Sequence, residues 1–342
     1  MPPCVLALLL LSFLSMPTAS LAQSGDGPYG NKYTINKLTT DIYTLTWALV
    51  PGSPAIGNST FIIGEHDVIV VDSGFSKSAG EAILSALRQI TSKPVSIVVN
   101  THWHGDHIFG NQVFKGAFPN VRFAAHPETR AGIITGELDY RTANRPKTEA
   151  RLIELKAKAD KTPAESSELT RAEWPVDAWQ GDYVLPDVLV DEHLTLMQGE
   201  RAVELRHLGH ANTKGDLVVY LPAEKIVISG DMAITPVPFA FFSMPRAWIH
   251  TLDKLAALDA TTIVPGHGRP QTEQRFIRDL QAMLRSIVEQ VDAGRKAGQD
   301  LETLKKTVTL VPPAGSVYAT VKGAALDQLF RVPAIESAWK ER

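Results

Sequence analysis

Cysteine is almost absent from this chain. Its 342 residues include one, Cys4, and that one lies in an N-terminal apolar run. The remainder can form no disulfide, and any metal site in it must be built from His, Asp and Glu. A block of one charge is missing as well. Lys and Arg number 34 against 37 Asp and Glu, for a net charge of −3, which argues against nucleic acid as a partner. There is no G-x-S-x-G turn to present a serine nucleophile. A mean hydropathy of −0.04 does not fit a chain that crosses a membrane many times.

What is present begins with "CVLALLLLSFLSM", an apolar run shorter than a bilayer span needs. Ser20-Leu21-Ala22 follows, with small residues at both positions that signal peptidase reads. A signal peptide over 1–22 is therefore expected, cut after Ala22. The mature chain, 23–342, would be periplasmic or secreted and would keep no stable membrane anchor. Asn58-Ser59-Thr60 matches a glycosylation sequon and is read as a chance match.

The body of the chain shows the same pattern twice. "STFIIGEHDVIVVDSG" predicts a hairpin of two apolar strands, Phe61–Ile63 and Val68–Val71, around a turn at 64–67 and closing on Asp72. Ile83, Leu84, Leu87 and Ile90 then recur at helical spacing, and "VSIVV" is a short apolar strand. Later, "GDLVVYLPAEKIVISGD" predicts a second hairpin closing on Asp231. A helix over "MPRAWIHTLDKLAAL" and a strand in "TTIVPGHG" follow, ending at His267. Two similar halves, each a sheet covered by helices, predict a four-layer α/β sandwich (αββα) with both sets of polar residues at one rim. The charged stretch 148–173 is expected to be a helical surface insertion, and 270–342 a helical tail over an outer face. The loop after Asp231 carries Phe239, Phe241, Phe242 and Trp248, available for a pocket wall or for the core.

The densest chemistry is "THWHGDH". His102 and His104 are at i and i+2, a spacing that puts both side chains on one side of an extended segment. Gly105 permits a turn, so Asp106 and His107 can aim elsewhere, and one loop can serve two metal ions. His210 in "LGHANTKGD", Asp231 and His267 each follow a glycine and can complete the donor set. Nitrogen and carboxylate donors suit zinc. Asp216 is expected to close the "TKGD" turn. His66, His126, His193, His207 and His250 have no such context and are given no ligand role.

In this order, "THWHGDH", "GH", "GD" and "PGHG" resemble the metallo-β-lactamase superfamily, over about residues 43–267. The resemblance implies His102, His104 and His210 on one metal, and Asp106, His107 and His267 on the other. Asp231 would bridge the two, and Asp72 would support the ligand loop from behind. Asp106 would also orient the attacking water, as the catalytic residue. The implied cofactor is a pair of zinc ions, with iron or manganese as alternatives, and the implied partner is a small-molecule substrate. The activity expected is that of an exported dinuclear zinc hydrolase, in which metal-activated water attacks a lactone, ester or lactam carbonyl. The alternatives are a β-lactamase and a thioesterase of the glyoxalase II kind.

Overall fold

A computed structural model describes residues 23–50, 53–321 and 324–341; the expected signal segment, 1–22, lies outside them. Eight strands lie side by side in chain order: β1 (Gln23–Asp26), β2 (Lys32–Lys37), β3 (Ile42–Trp47), β4 (Ser59–Ile63), β5 (Val68–Val71), β6 (Val95–Val99), β7 (Arg122–Ala125) and β8 (Val188–Leu189). Five more form a second sheet in the order β13-β12-β11-β10-β9: β9 (His193–Gln198), β10 (Arg201–His207), β11 (Leu217–Leu221), β12 (Ile226–Gly230) and β13 (Thr262–Pro265). The two expected hairpins are β4–β5 and β11–β12, both antiparallel. After each hairpin the next strand is parallel, β5 to β6 and β12 to β13. A parallel pair needs a crossover, and helices Lys77–Ile90 and Pro245–Ala256 supply it in the two halves.

Both faces of each sheet are covered, so the central strands are apolar throughout rather than alternating. Ile69, Val71 and Val99 pack with Val219, Ile228 and Val264 between the sheets. The alternate residues Val70 and Val98 meet Ile83 and Leu87 of the first crossover helix. On the other side Val218 and Val227 lie under Trp248, Leu252, Leu284 and Ile287. Each of these side chains contributes roughly 1.5–3 kcal/mol when taken out of water. The result is helix, sheet, sheet, helix, the four layers expected, with β5, β6, β12 and β13 ending at one rim.

The helical insertion is longer than 148–173. Helical turns begin at Pro127 and run through Asp139–Ala157, then resume over Pro163–Ala178 behind a Thr162–Glu165 capping box. Its early part was hidden by Gly132, Gly136 and Pro146, which are poor helix residues. Tertiary contacts override that weakness, since Ile133 is fully buried with Ile108, Phe109 and Trp179. In the tail, Arg275–Lys296 and Val332–Lys340 pack on the second crossover helix, where Arg246 makes a two-pronged pair with Asp292. No helix among the described residues is long and apolar enough to cross a membrane.

Candidate metal centre

Each candidate ligand sits just past the end of a strand. His102 and His104 follow β6, and Asp106 and His107 open the short helix Gly105–Ile108. Asp231 follows β12 and His267 follows β13. Asp72 follows β5 with φ +60°, a left-handed conformation that Asp tolerates better than most residues. The turn swings its carboxylate behind the ligand loop. Oδ1 accepts from Thr101 N at 2.8 Å and Oδ2 from Thr101 Oγ1 at 2.7 Å, while His107 Nδ1 lies 2.8 Å from Oδ2. His107 donates through Nδ1 in this arrangement, which aims Nε2 at the centre as the atom available to a metal. Asp72→Ala is therefore expected to weaken metal affinity by roughly 10–100-fold without touching a donor atom. Competition with a chromogenic chelator checks it; unchanged affinity would remove Asp72 from this role.

The donors converge. His102 Nε2 is 3.0 Å from His104 Nδ1 and 3.5 Å from Asp231 Oδ2. His107 Nε2 lies 3.3 Å from Asp231 Oδ1, 3.5 Å from Asp106 Oδ2 and 3.3 Å from His267 Nε2. His267 Nε2 is 2.9 Å from Asp106 Oδ2. Two donor groups result, His102 with His107 and Asp231, and Asp106 with His107 and His267. The two oxygens of Asp231 face different groups, the disposition a bridging carboxylate needs.

These side chains fit metal ions better than they fit each other. Asp231 Oδ1 and His104 Nε2 are buried with no hydrogen-bond partner, a costly state unless a cation joins them. Burial, then the neighbouring His102, pushes the His104 imidazole down to about 3, so it is a neutral lone-pair donor. Burial alone would lower His107, but the carboxylates of Asp231, Asp106 and Asp72 outweigh it and raise its pKa well above the ordinary value, so in the metal-free protein Nε2 carries a proton that a metal ion would displace. Burial likewise opposes ionisation of Asp106 and Asp231, and His107 and His267 overcome it, keeping both ionised.

His210 stands apart. Gly209, at φ +133°, turns the chain after β10, and the His210 carbonyl accepts from Thr251 Oγ1 at 2.8 Å. Its side chain is exposed, with the ring 6.0 Å from that of His207, and it belongs to neither donor group. The structure thus gathers His102, His104, Asp106, His107, Asp231 and His267 but not His210. Asp216 closes its turn as expected, accepting from Thr213 N at 2.6 Å.

Some functional positions carried no sequence signal. The Asn58 side chain is buried and donates to Pro265 O and Gly268 O, both at 2.8 Å, holding the His267 loop; that geometry agrees with a chance sequon. Trp103, between the two histidines, lies against helical backbone: a Cβ at Gly132 would come 2.5 Å from its ring, and one at Gly136 2.8 Å. Glu137 Oε1 accepts from Gly105 N at 3.0 Å, beside Asp106. Burial, then the Asp106 charge, pushes the Glu137 carboxyl up to about 7. The folded state then holds a proton that the unfolded chain releases near 4.5, so stability is lost as pH rises from about 4.5 to 7. In protein stripped of metal, Glu137→Gln is expected to gain up to roughly 3 kcal/mol over the parent at pH 8 and little at pH 5. Thermal unfolding in EDTA at the two pH values checks it; an equal gain at both would remove the ionisation as its cause.

The cluster forms the floor of an 840 Å³ cavity, a volume typical of small-molecule sites. Phe239 and Phe242 of the loop after Asp231 line it, as do Trp103, Trp179 and Leu329. Phe241 lines a neighbouring cavity instead, and Trp248 is core, donating through Nε1 to Met232 O at 2.9 Å. No Lys or Arg is among the described residues lining the main cavity, and its one further acidic side chain is Glu137.

Residues 52–267 match the family described as the metallo-beta-lactamase superfamily. The chain is 25% identical over 236 residues to a linear primary-alkylsulfatase of Pseudomonas sp., covering 65% of this chain and 43% of that protein. It is 22% identical over 273 residues to a type 2 metallo-beta-lactamase of Bacteroides fragilis, covering 76% of this chain and 88% of that one. Among solved structures, a sec-alkylsulfatase of Pseudomonas sp. superposes with a TM-score of 0.62 at 16% identity, covering 90% of this chain and 49% of that one. A metallo-beta-lactamase from Pontibacter korlensis gives 0.53 at 17% identity, covering 74% and 99%. The structural likenesses support the fold, and the chain spans less than half the length of the alkylsulfatases.

Proposed function

The chain belongs to the metallo-β-lactamase superfamily and is a metal-dependent hydrolase; from that premise we propose that it binds two zinc ions and hydrolyses an apolar, uncharged carboxylic ester or lactone. The observation that carries this reading is the His–Asp cluster at the floor of a cavity without Lys or Arg. His102, His104, Asp106, His107, Asp231 and His267 would hold the metals, and rotation of the exposed His210 would add the seventh donor the family pattern calls for. Iron or manganese remain the alternatives to zinc. When bound, the metals supply an activated water and a positive charge for the carbonyl oxygen.

The chain's own groups do the rest. Asp106 orients the water and accepts its proton, Asp72 fixes His107 in the tautomer that leaves Nε2 free, and the aromatic wall excludes bulk water. Water oxygen adds to the acyl carbon, the C–O bond breaks, and the proton passes to the departing alkoxide, giving an acid and an alcohol. A β-lactam carries a carboxylate away from the scissile bond, and an alkyl sulfate keeps an anionic oxygen through the reaction; each needs a cation of its own, and no Lys or Arg is among the described residues of the lining. A thioester remains the nearest uncharged competitor.

Elemental analysis is expected to find about two metals per chain. On the zinc-loaded protein, kcat/KM for an aryl ester and a γ-lactone should exceed that for nitrocefin, an aryl thioester and a primary alkyl sulfate. Preference for nitrocefin, the thioester or the sulfate would overturn the substrate assignment, and a single metal under zinc excess would overturn the dinuclear one. The N-terminal run supports export; N-terminal sequencing of exported protein should start at Gln23, and a retained Met1 would sink that part.

A further inference from the structure

The cavity has a polar floor and an apolar rim, and its rim is unusually exposed. Leu49, Tyr140, Phe242 and Leu329 all line it, yet they are 54%, 59%, 67% and 38% accessible. They come from four separate parts of the chain: the segment after β3, the insertion, the loop after Asp231, and the tail. Four large apolar side chains held in water around one opening is an arrangement that marks a binding surface. Between rim and floor the lining stays apolar, with Phe75, Phe109, Trp179, Ile234, Val237 and Phe239. Phe242 holds φ +64°, an uncommon conformation for a bulky residue, and its ring lies 5.1 Å from that of Trp103.

We infer that the substrate carries a linear aliphatic chain, whose carbonyl end reaches the His–Asp cluster and whose tail runs along the cavity to the rim of Leu49, Tyr140, Phe242 and Leu329. This rests on the ester reading for the reacting group, and on the cavity alone for the tail. A compact substrate would fill the floor and leave the rim residues in water, whereas an extended chain covers them. The occupant has no anionic group at its far end, since no Lys or Arg lines the cavity among the described residues.

The test is a series of 4-nitrophenyl butanoate, hexanoate, octanoate and decanoate on the full zinc-loaded chain, each below its aggregation concentration. Burial of a methylene gives up to about a fourfold gain, so kcat/KM should climb by tens-fold or more from butanoate to octanoate. Leu49→Glu and Leu329→Glu, both at exposed positions, should cut the octanoate-to-butanoate ratio by about tenfold, with thermal unfolding confirming that each variant folds. A flat or falling series in the parent, or a ratio unmoved by both substitutions, overturns the inference. If no ester is cleaved at all, the ester reading fails and the tail is tested separately by calorimetric binding of 1-hexanol, 1-octanol and 1-decanol. Affinity rising with length supports the channel, and affinity independent of length overturns it.

Discussion

Asp106→Asn should cut kcat/KM by about a thousandfold or more, with Asp231→Asn close behind at about a hundredfold. Asp106 Oδ2 lies 2.9 Å from His267 Nε2 and 3.5 Å from His107 Nε2, and the residue is partly open to the cavity. It can therefore ligate and orient water at once, and positioned proton transfer alone contributes about 10²–10⁴-fold. Asp231 is more deeply buried and offers one oxygen to each donor group. An amide keeps the shape but loses the charge that offsets two cations, so metal content should fall toward one per chain along with rate. Steady-state kinetics read beside elemental analysis checks both. Undiminished turnover in the two variants would overturn the mechanism, and full metal content in Asp231→Asn would remove its bridging role.

Gly266→Ala should be as damaging as Asp231→Asn although it removes no donor. A Cβ at Gly266 would overlap the Asp231 carboxylate and crowd the Gly230 and Asp231 backbone. The strand end cannot yield, because Gly266 N donates to Gly230 O at 2.8 Å and Gly266 O accepts from Asn58 N at 2.7 Å. Overpacking of this kind costs about 1–3 kcal/mol, and here the easiest relief is displacement of Asp231. Loss of metal and activity with a modest fall in Tm is the expected result. Gly116→Ala is the control: nothing lies within 4 Å of its Cβ position on the helix Asn111–Ala117, and it should be neutral or slightly stabilising. Near-parental activity in Gly266→Ala would show that Asp231 is not held where its function requires.

The strands and the crowding of His and Asp at one loop were legible in the sequence because they obey short-range rules. The hairpin at 59–71, the crossover helices and the doubled pattern follow from periodicity, and the donor cluster from six consecutive positions. What was hidden depends on partners far along the chain. Asn58 reads as an ordinary polar residue until β13, more than 200 residues later, brings the backbone of the His267 loop to its amide. Glu137 lies in a segment whose Gly and Thr content hides its helix, and only packing against Gly105 gives it a role. His210 shows the converse: local context marks it as a ligand, while the turn at Gly209 leaves its ring in solvent.

Trp103 has a wider consequence. Seated on Gly132 and Gly136 and joined by the bond from Gly105 to Glu137, the ligand loop and the start of the insertion are mechanically one piece. The insertion supplies part of the cavity wall, and the loop supplies the metal donors. A molecule that favours one setting of the wall therefore favours the matching setting of the loop, and linkage makes the effect reciprocal. Metal loading should therefore tighten binding of an apolar occupant, and an apolar occupant should tighten metal binding by the same factor, which chelator titration with and without 1-octanol measures. Shaving the Trp103 ring to a smaller side chain would uncouple them before it abolished either.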